Sequence, residues 1–146
     1  MVSQNGQTLS LEFNGDPRHV RRALHDIHQH LSPLSDTDLQ TSTEITLAEV
    51  FNNIVKHAYR DTHRGIIGVD IATRANCLGF HIRDAGCGMP NGQLPVGAPH
   101  DLSDDVQTFP EGGFGWNLIH TLTENINYAR QNDQNTLTFD IARTAT

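Results

Sequence analysis

The stretch of residues 47–59 constrains this chain most strongly, because its residue pattern fits one kind of helix. Successive residues of an α-helix are about 100° apart around the axis, so their spacing decides which face each side chain occupies. The apolar side chains fall on one face: Leu47, Val50, Phe51, Ile54, Val55 and Ala58. The opposite face carries four polar groups: Glu49, Asn53, Lys56 and His57. The sequence therefore predicts an amphipathic helix that packs along its apolar face.

The polar face of this helix allows two interpretations. A solvated surface is the simpler one, since most amphipathic helices present such groups to water. The other is a cation and phosphate site, because magnesium prefers hard oxygen ligands and keeps several waters. Asn53 could supply a carboxamide oxygen to the ion, and Glu49, one turn earlier, could take a proton from an attacking hydroxyl or water. Lys56 could balance charge on the phosphates.

A glycine-spaced loop follows a predicted strand and reads Asp84-Ala85-Gly86-Cys87-Gly88-Met89. Glycine permits positive φ and lets the backbone approach a ligand closely. A carboxylate at a strand end can accept a hydrogen bond from an exocyclic amine such as that of adenine, whereas guanine presents a carbonyl at that position. Asp84 is therefore a candidate adenine-binding residue, and an ordinary Asp-Gly turn is the alternative.

A second glycine cluster, Gly112-Gly113-Phe114-Gly115, opens another predicted helix. Unpaired amides at a helix N-terminus attract phosphate, and glycines let the phosphate approach. The cluster lacks the Gly-Lys-Ser/Thr ending of a P-loop, so a flexible hinge is the alternative. Taken together, the polar helix face and the two glycine segments indicate a nucleotide held with magnesium.

Size and charge limit the classes of function. The chain has 146 residues, which fits a single domain over residues 1–146 with a real core. Its formal net charge of −7 argues against direct nucleic-acid binding, and Arg18, Arg21 and Arg22 form only a short basic cluster. The same acidity disfavours binding to anionic membranes.

Features of the termini and the cysteines predict the compartment. Met1–Phe13 lacks the pattern of a signal peptide. No apolar run reaches the roughly 18–20 residues of a membrane-spanning helix. We therefore expect a cytoplasmic protein with no membrane partner, in which Cys77 and Cys87 are free thiols.

Periodicity and turn signals predict the element order β-α-α-β-β-loop-α-β-β. The predicted strands are Thr8–Phe13, Gly65–Ala72, Leu78–Arg83, Ile126–Ala129 and Thr136–Ala142. The predicted helices are Pro17–Leu31 with Asp16 as N-cap, a helix from Ser42 or Thr43 to about Tyr59, and Gly115–Leu122. Loops are predicted over Ser32–Thr43 and Gly86–Gly113. The fold class is α+β: a two-layer α/β sandwich with a mixed or mostly antiparallel sheet and helices on one face.

In combination the motifs resemble those of the histidine-kinase-like (GHKL) ATPase superfamily, which has the Bergerat fold. Within it, the chain is most similar to the bacterial anti-sigma-factor serine/threonine kinases. The match covers nearly the whole chain, in order. It consists of the N-box Glu49-x-x-x-Asn53-x-x-x-His57-Ala58-Tyr59, the adenine box Asp84-x-Gly86-x-Gly88, the glycine box Glu111-Gly112-Gly113-Phe114-Gly115-Trp116-x-Leu118-Ile119, and Thr136 in the closing strand.

The resemblance implies a ligand, a reaction and partners. The ligand is Mg-ATP, and its γ-phosphate is transferred to a Ser or Thr of a small anti-anti-sigma protein with a STAS domain. The family also sequesters a sigma factor and commonly forms homodimers. By carry-over, Asn53 ligates magnesium, Glu49 is the candidate base and Asp84 binds adenine. The other candidate nucleotide-binding residues are Lys56, His57, Gly86, Gly88, Met89, Gly113, Phe114, Gly115 and Thr136, with an ATP lid over about residues 89–114.

Three departures from the family pattern bear on turnover more than on nucleotide binding. The chain has no Lys or Arg between Arg83 and Arg130, where related kinases often have a basic lid residue. Asn135 stands where a glycine usually precedes the threonine, and Trp116 replaces an aliphatic residue. An ATP-binding partner-switch regulator with little or no kinase activity is therefore an alternative function.

Two further alternatives are weaker. A sensor histidine kinase needs a dimerising helical hairpin with a phosphoacceptor histidine, and only one predicted helix precedes the N-box. A metal-binding protein is suggested by nine histidines. However, His25, His28 and His30 cannot all share one helix face, and no Cys/His set has zinc spacing.

Overall fold

The computed structural model describes residues 7–60, 65–95 and 113–144. The strands are β1 (Gln7–Asn14), β2 (Ile66–Thr73), β3 (Cys77–Asp84), β4 (Glu124–Gln131) and β5 (Gln134–Ala142). The helices are α1 (Pro17–Leu31), α2 (Thr37–Asn53) and α3 (Gly113–Leu122), with short 3₁₀ turns at Ser32–Leu34 and Pro90–Gly92 and a π-helical segment at Ile54–Ala58. The predicted element order and the α+β class are confirmed.

The strands form one open sheet in the order β1-β2-β3-β5-β4, and every strand pair in the described chain is antiparallel. Strands β4 and β5 meet at a two-residue turn in which Asn132 and Asp133 have φ of 55° and 62°. Two successive positive φ values define the turn type that matches the twist of a hairpin, and Asn and Asp tolerate them best among non-glycine residues.

The inward face of the sheet is built from rows of opposed residues in β3 and β5. Alternate residues of a strand point to the same face, and the inward rows pair Leu78 with Ile141, Phe80 with Phe139, and Ile82 with Leu137. The Phe80 and Phe139 rings stack with their centroids 4.9 Å apart. The next inward row is polar: Asp84 opposite Asn135. The core face of the sheet therefore ends in a buried polar pair.

Helix α1 begins as the sequence predicts. Asp16 is its N-cap and accepts a hydrogen bond from the backbone N–H of His19 at 2.9 Å, while Pro17 occupies the first turn. One stripe of the helix is buried against the sheet: Val20, Ala23, Ile27 and Leu31. Because these residues recur every three or four positions, the periodicity was sufficient to place the helix.

Helix α2 begins earlier than predicted, so the loop predicted over Ser32–Thr43 is wrong. Its N-cap is Asp36, whose carboxylate accepts hydrogen bonds from the backbone N–H groups of Leu39 at 3.1 Å and Thr144 at 2.9 Å. The second bond comes from the distant C-terminal segment, which the local sequence does not reveal. Thr43 and Thr46 are fully buried along this helix, so polar residue types hide its apolar stripe.

The end of α2 also differs from the prediction of a regular helix to Tyr59. The backbone widens into a π-helical segment at Ile54–Ala58, and the N–H of Tyr59 bonds to the carbonyl of Ile54 at 2.9 Å. Such segments interrupt α-helices mostly as single turns and are frequent at functional sites. The segment starts directly after Asn53.

Two other sequence-based expectations concern helices and thiols. None of the helices found in the described ranges combines the length and the apolar character that a membrane crossing requires. Cys77 and Cys87 are both free, and Cys87 is exposed in the glycine loop.

Candidate functional site

A cavity of about 570 Å³ opens between the end of α2, the loop after β3, the start of α3 and the strands β4 and β5. This volume lies in the range of small-molecule and cofactor sites. The residues around it are mostly apolar with a few polar groups: Val50, Asn53, Ile54, Lys56, His57, Ala58, Arg60, Ile82, Asp84, Cys87, Gly88, Met89, Pro90, Pro95, Trp116, Tyr128, Asn135 and Leu137. Asn53 and Asp84 therefore share one cavity.

The α2 side of the cavity carries the polar face predicted from the helix. Asn53, Lys56 and His57 all line it, and Arg60 adds a second strong cation beyond the π-helical segment. Lys56 and Arg60 are cations and Asn53 carries an amide, so this side of the cavity suits the phosphate end of a nucleotide. Glu49 does not line it.

The Asn53 side chain leaves a polar atom unsatisfied. Its Nδ2 atom is buried and has no hydrogen-bond partner among the described residues. The amide oxygen and nitrogen exchange places by a flip of the side chain, so either atom can take this position. An unsatisfied buried polar atom costs about 1–3 kcal/mol. A ligand that coordinates or bonds this amide would remove the cost, so the site fits a magnesium ion that takes one protein oxygen.

The donor set fits magnesium better than a transition metal. The described ranges contain no group of three or more His, Cys, Asp or Glu side chains arranged around a common point. Magnesium is usually held by one or two protein oxygens together with substrate phosphates and waters, rather than by an all-protein cage. The single carboxamide of Asn53, beside the cations of the cavity wall, is consistent with this mode of magnesium coordination.

Asp84 also lines the cavity and is only 8% exposed. Its Oδ1 accepts hydrogen bonds from the backbone N–H of Gly86 at 2.9 Å and from Asn135 Nδ2 at 2.8 Å. No described residue donates to its Oδ2. Burial raises the pKa of the Asp84 carboxyl, while the hydrogen bonds from Asn135 and Gly86 and the charge of Arg130 act in the opposite direction.

Position 86 of the first glycine loop requires a glycine because the backbone of another segment packs against it. A Cβ atom at Gly86 would lie 2.5 Å from the carbonyl carbon and oxygen of Ala58. The neighbouring N–H of Cys87 donates to that same carbonyl at 2.8 Å. Gly86 therefore joins the loop to the end of α2 and does not line the cavity itself. Gly88 does line it, and a Cβ there would come within 2.8 Å of the Arg130 side chain.

Met89 also lines the cavity, and its backbone fixes the exit of the loop. The N–H of Met89 donates to the hydroxyl of Tyr128 at 3.0 Å. That hydroxyl in turn donates to Asn135 Oδ1 at 2.6 Å. The loop is thus attached to β4 and β5 on one side and to α2 on the other.

Tyr59 closes the junction between α2 and the strands. Its hydroxyl donates to the carbonyl of Ile66 at 2.6 Å and accepts from the N–H of Ala85 at 2.8 Å. A Cβ at Gly65 would overlap the Tyr59 ring at 1.9 Å, so only glycine lets that backbone lie flat against the ring. Burial is the main reason that the pKa of Tyr59 is raised, so the hydroxyl keeps its proton. The residue positions the start of the adenine box.

Four candidate residues from the sequence do not line the cavity: Glu49, Gly86, Gly115 and Thr136. The Glu49 carboxylate lies against the first turn of α3, where a Cβ at Gly115 would come within 2.4 Å of Glu49 Oε2. Thr136 alternates with the inward residues Asn135 and Leu137, so it points to the opposite face of the sheet. The strand parity, which the family pattern does not display, accounts for the position of Thr136.

The second glycine segment is described only in part. Gly113 and Phe114 belong to α3, but their side-chain environment lies outside the description, as do residues 96–112 of the predicted lid. Trp116 is buried in the first half of α3 and lines the cavity.

Several site residues were not predicted from the sequence: Arg60, Tyr128, Arg130 and Asn135. Asn135 shares its inward parity with Leu137, Phe139 and Ile141. A polar residue in the buried alternation of a strand was a signal that could have identified it, and the same signal applies to Asp84 beside Ile82. Arg60 follows the π-helical segment, so its direction could not be projected from a regular helix.

The fold and the cavity together define a class of protein. An antiparallel sheet has helices on one face, and a cavity large enough for a nucleotide is lined by polar groups of α2 and by a buried carboxylate. The family model of the histidine kinase-like ATPase domain matches residues 13–141. The chain therefore belongs to the histidine kinase-like ATPase domain family, whose membership implies ATP binding, usually with Mg²⁺. A comparison with curated proteins gives no match.

Proposed function

We propose that this protein is an ATP-dependent serine/threonine protein kinase of the partner-switching type. It would act as an anti-sigma factor that phosphorylates a STAS-domain anti-anti-sigma protein and sequesters a sigma factor. The observation that carries the nucleotide part of the proposal is the shared cavity of Asn53 and Asp84. The partners and the kinase activity rest on the resemblance of the three motifs, in order, to the anti-sigma-factor kinases.

In this proposal, the adenine and the triphosphate bind to different groups of cavity residues. Asp84 Oδ2 would accept the hydrogen bond of the adenine amino group, and the apolar side chains of Ile82, Met89 and Leu137 would contact the purine ring. Asn53, Lys56, His57 and Arg60 would hold the triphosphate on the α2 side. Magnesium bound through Asn53 would neutralise charge on the phosphate oxygens.

Phosphoryl transfer would join the oxygen of a partner Ser or Thr to the γ-phosphorus while the bond from that phosphorus to the bridging β-oxygen breaks and ADP leaves. The hydroxyl proton would pass to the Glu49 carboxylate, one turn before Asn53. In the described structure that carboxylate lies against Gly115, so it must turn toward the phosphates. The chain would act on the reaction chiefly by positioning and charge, as is usual for this chemistry.

Two other observations favour a second candidate function. Glu49 lies outside the cavity, and the segment between Arg83 and Arg130 contains no Lys or Arg. Both features suit an ATP-binding regulator that holds its partner without efficient phosphoryl transfer. Both candidates require ATP binding, and only the kinase transfers label from γ-phosphate to a protein.

A labelling experiment separates the two candidates. The tagged protein is used to capture partners, and the captured mixture is incubated with γ-labelled ATP and magnesium. The kinase proposal expects label on a captured partner. It also expects Glu49→Gln to reduce labelling at least about a hundredfold while ATP affinity stays within about twofold, in keeping with the size of general-base effects.

The matched control is Glu44→Gln, because Glu44 lies on the same helix, is exposed and, among the residues that the structure describes, pairs with His28 at 3.0 Å. Its labelling should equal that of the wild type. ATP binding without label on any partner would overturn the kinase proposal and favour the regulator. We also propose that the protein is a homodimer, as the kinases that it resembles commonly are, and light scattering of the purified protein tests this independently.

A further inference from the structure

Asn135 lies directly beside Asp84, the carboxylate of the cavity. It is only 5% exposed, lies opposite Asp84 in the β3–β5 ladder and shares the inward face of the sheet with it. Directly opposed side chains on one face of an antiparallel pair are the closest cross-strand neighbours. A carboxamide is therefore buried at the point where a ligand's base would meet the protein.

The orientation of this carboxamide is determined by its neighbours. Asn135 Nδ2 donates to Asp84 Oδ1 at 2.8 Å and to the carbonyl of Cys87 at 2.9 Å, both of which can only accept. Asn135 Oδ1 accepts from the Arg130 guanidinium at 2.8 Å, which can only donate, and from the Tyr128 hydroxyl at 2.6 Å. In a flipped amide, Oδ1 would face the acceptors of Asp84 and Cys87, and Nδ2 would face the Arg130 donor. Only the observed orientation of the amide therefore satisfies these partners.

This arrangement assigns different tasks to the two oxygens of Asp84. Oδ1 already accepts from Asn135 and from the Gly86 N–H, whereas Oδ2 has no donor among the described residues. A buried carboxylate needs such hydrogen bonds to remain ionised, because burial alone favours its protonated form. Asn135 supplies one of them and, through its other end, joins the carboxylate to β4.

We propose that Asn135 is a positioning residue that sets the base specificity of the cavity: it fixes the Asp84 carboxyl through Oδ1 and leaves Oδ2 to a ligand that donates a hydrogen bond. The proposal rests on the nucleotide-binding function proposed above. The ligand chemistry that it selects is a purine nucleotide with an exocyclic amino group at the position facing Asp84. Purines without a donor there gain nothing from the arrangement.

A purely structural role is the competing explanation, since Asn135 also bonds to the carbonyl of Cys87 and thereby holds the loop. The two explanations differ in what a mutation should do. Loss of a loop contact weakens every nucleotide alike. Loss of the Asp84 contact weakens the nucleotides that carry the amino group and alters how their affinity depends on pH.

The test uses Asn135→Asp, in which an acceptor for Tyr128 and Arg130 remains but the donor to Asp84 is lost. Affinities for ATP and for purine riboside triphosphate, which lacks the 6-amino group, are measured by calorimetry between pH 5.5 and about 8.5, a range chosen around neutrality. We expect the wild type to prefer ATP. We expect the variant to bind ATP at least about tenfold more weakly at neutral pH, with less than about threefold change for the analogue.

The pH profile supplies a readout that a structural role would not change. Placing a carboxylate beside Asp84 raises the pKa of Asp84, because like charges disfavour ionisation. The loss of ATP affinity on acidification should therefore begin at higher pH in the variant than in the wild type. Tyr59 and Arg130 face Asp84 and His57 lines the same cavity, but these residues are the same in both proteins. The difference between the two profiles therefore reports Asp84 together with the carboxyl that the substitution introduces beside it.

The matched control is Asn127→Asp, an identical change at an exposed position on the other face of β4. Its preference for ATP should equal that of the wild type. If Asn135→Asp does not fold, Tyr128→Phe serves instead. It removes a donor to Asn135 but keeps the bond to Asp84, so the preference for ATP should survive even if both affinities fall.

Three results would overturn the inference. Equal weakening of both nucleotides in Asn135→Asp, without a shift of the pH profile, would make Asn135 a loop contact only, and ATP binding would stand. A lost preference in Tyr128→Phe would show that the contact to Asp84 is insufficient. Failure of the wild type to bind either nucleotide would remove the proposed function itself and this inference with it.

Discussion

At the scale of single residues, the site depends on two polar side chains of one cavity, each with an atom that no described residue bonds. Asp84 leaves Oδ2 without a donor, and Asn53 leaves a buried amide atom without a partner in the described chain. A buried atom such as that of the Asn53 amide is rarely left unpaired in a protein. Both groups line the same cavity, so one ligand that donates at one end and coordinates at the other would satisfy both.

The first prediction concerns Asp84→Asn. The substituted amide keeps an oxygen for Gly86 and Asn135 but presents a donor to the ligand in place of Oδ2. We expect ATP affinity to fall roughly tenfold to a hundredfold, since a hydrogen bond to a charged group contributes about 1.5–3 kcal/mol. Quenching of Trp116, which lines the cavity, gives the readout.

The control for this experiment is Asp140→Asn. Asp140 lies on the other face of the sheet beside Arg74, so the variant should bind ATP like the wild type. Unchanged ATP affinity in Asp84→Asn would remove Asp84 from adenine binding.

The second prediction concerns Asn53→Ala and its matched control Asn52→Ala. The two residues are adjacent, but Asn52 is exposed and lies outside the cavity wall. Loss of the magnesium ligand should make the ATP affinity of Asn53→Ala nearly independent of magnesium, whereas Asn52→Ala keeps the wild-type dependence. Titrations with and without the ion measure this, and an equal magnesium effect in both variants would rule out ligation by Asn53.

At the scale of elements, the site is assembled where α2 changes its helical form. The π-helical segment Ile54–Ala58 begins after Asn53, and its last carbonyl bonds to Cys87 in the glycine loop. Tyr59 then connects the helix end to β2 and to the end of β3. Hydrogen bonds therefore connect the N-box to the adenine box. A substitution at this junction should alter the position of both.

The third prediction concerns Tyr59→Phe. The variant removes the bond to Ile66 and leaves the N–H of Ala85 without its acceptor. We expect the free energy of unfolding to fall by about 1–3 kcal/mol, with an unchanged m-value in urea. ATP affinity should fall as well, since Ala85 is next to Asp84. A variant with wild-type stability would show that the junction does not depend on this hydroxyl.

The sequence predicted some elements better than others for physical reasons. Helix α1 has a local cap and a clear apolar stripe, so its limits were correct. The start of α2 was missed because its cap, Asp36, is completed by Thr144 from the far end of the chain, and because threonines fill buried positions. Local patterns cannot report contacts that form only when distant segments meet.

Like the fold, the site could be predicted from the sequence only where local patterns determine it. Asn53 and Asp84 were identified from helix spacing and from the strand-to-glycine pattern, and both line the cavity. Asn135 was noticed as an unusual residue, but its bond to Asp84 depends on the β3–β5 register, which the sequence did not supply. The position of Thr136 on the opposite face follows from the same register.

At the scale of the whole molecule, the binding site at the end of the sheet lowers the stability of the fold. The inward rows of β3 and β5 are apolar until Asp84 and Asn135, where a charge is buried. Burying a carboxylate is unfavourable unless a partner compensates it. In the ligand-free protein the compensation is incomplete, because burial outweighs the hydrogen bonds and the pKa of Asp84 is raised.

The fourth prediction is a pH dependence of stability with a defined sign. For a group whose folded-state pKa is raised, the stabilisation is fully present below the unfolded pKa and is lost as pH rises through the folded pKa. The ligand-free wild type should therefore lose stability relative to Asp84→Asn as pH rises from below 3.8, the ordinary Asp value. Urea unfolding of both proteins across this range measures the difference, and a constant difference would contradict a raised pKa.

The central claim is that Asn53 and Asp84 belong to one Mg-ATP site. The most direct measurement is a titration with Mg-ATP followed by the backbone amide NMR signals of the labelled protein. We expect the signals of Asn53, Asp84 and Asn135 to shift together along one saturation curve, and Mg-GTP to produce much weaker changes. Shifts confined to one of the two segments, separate saturation of Asn53 and Asp84, or no saturable shift would contradict it.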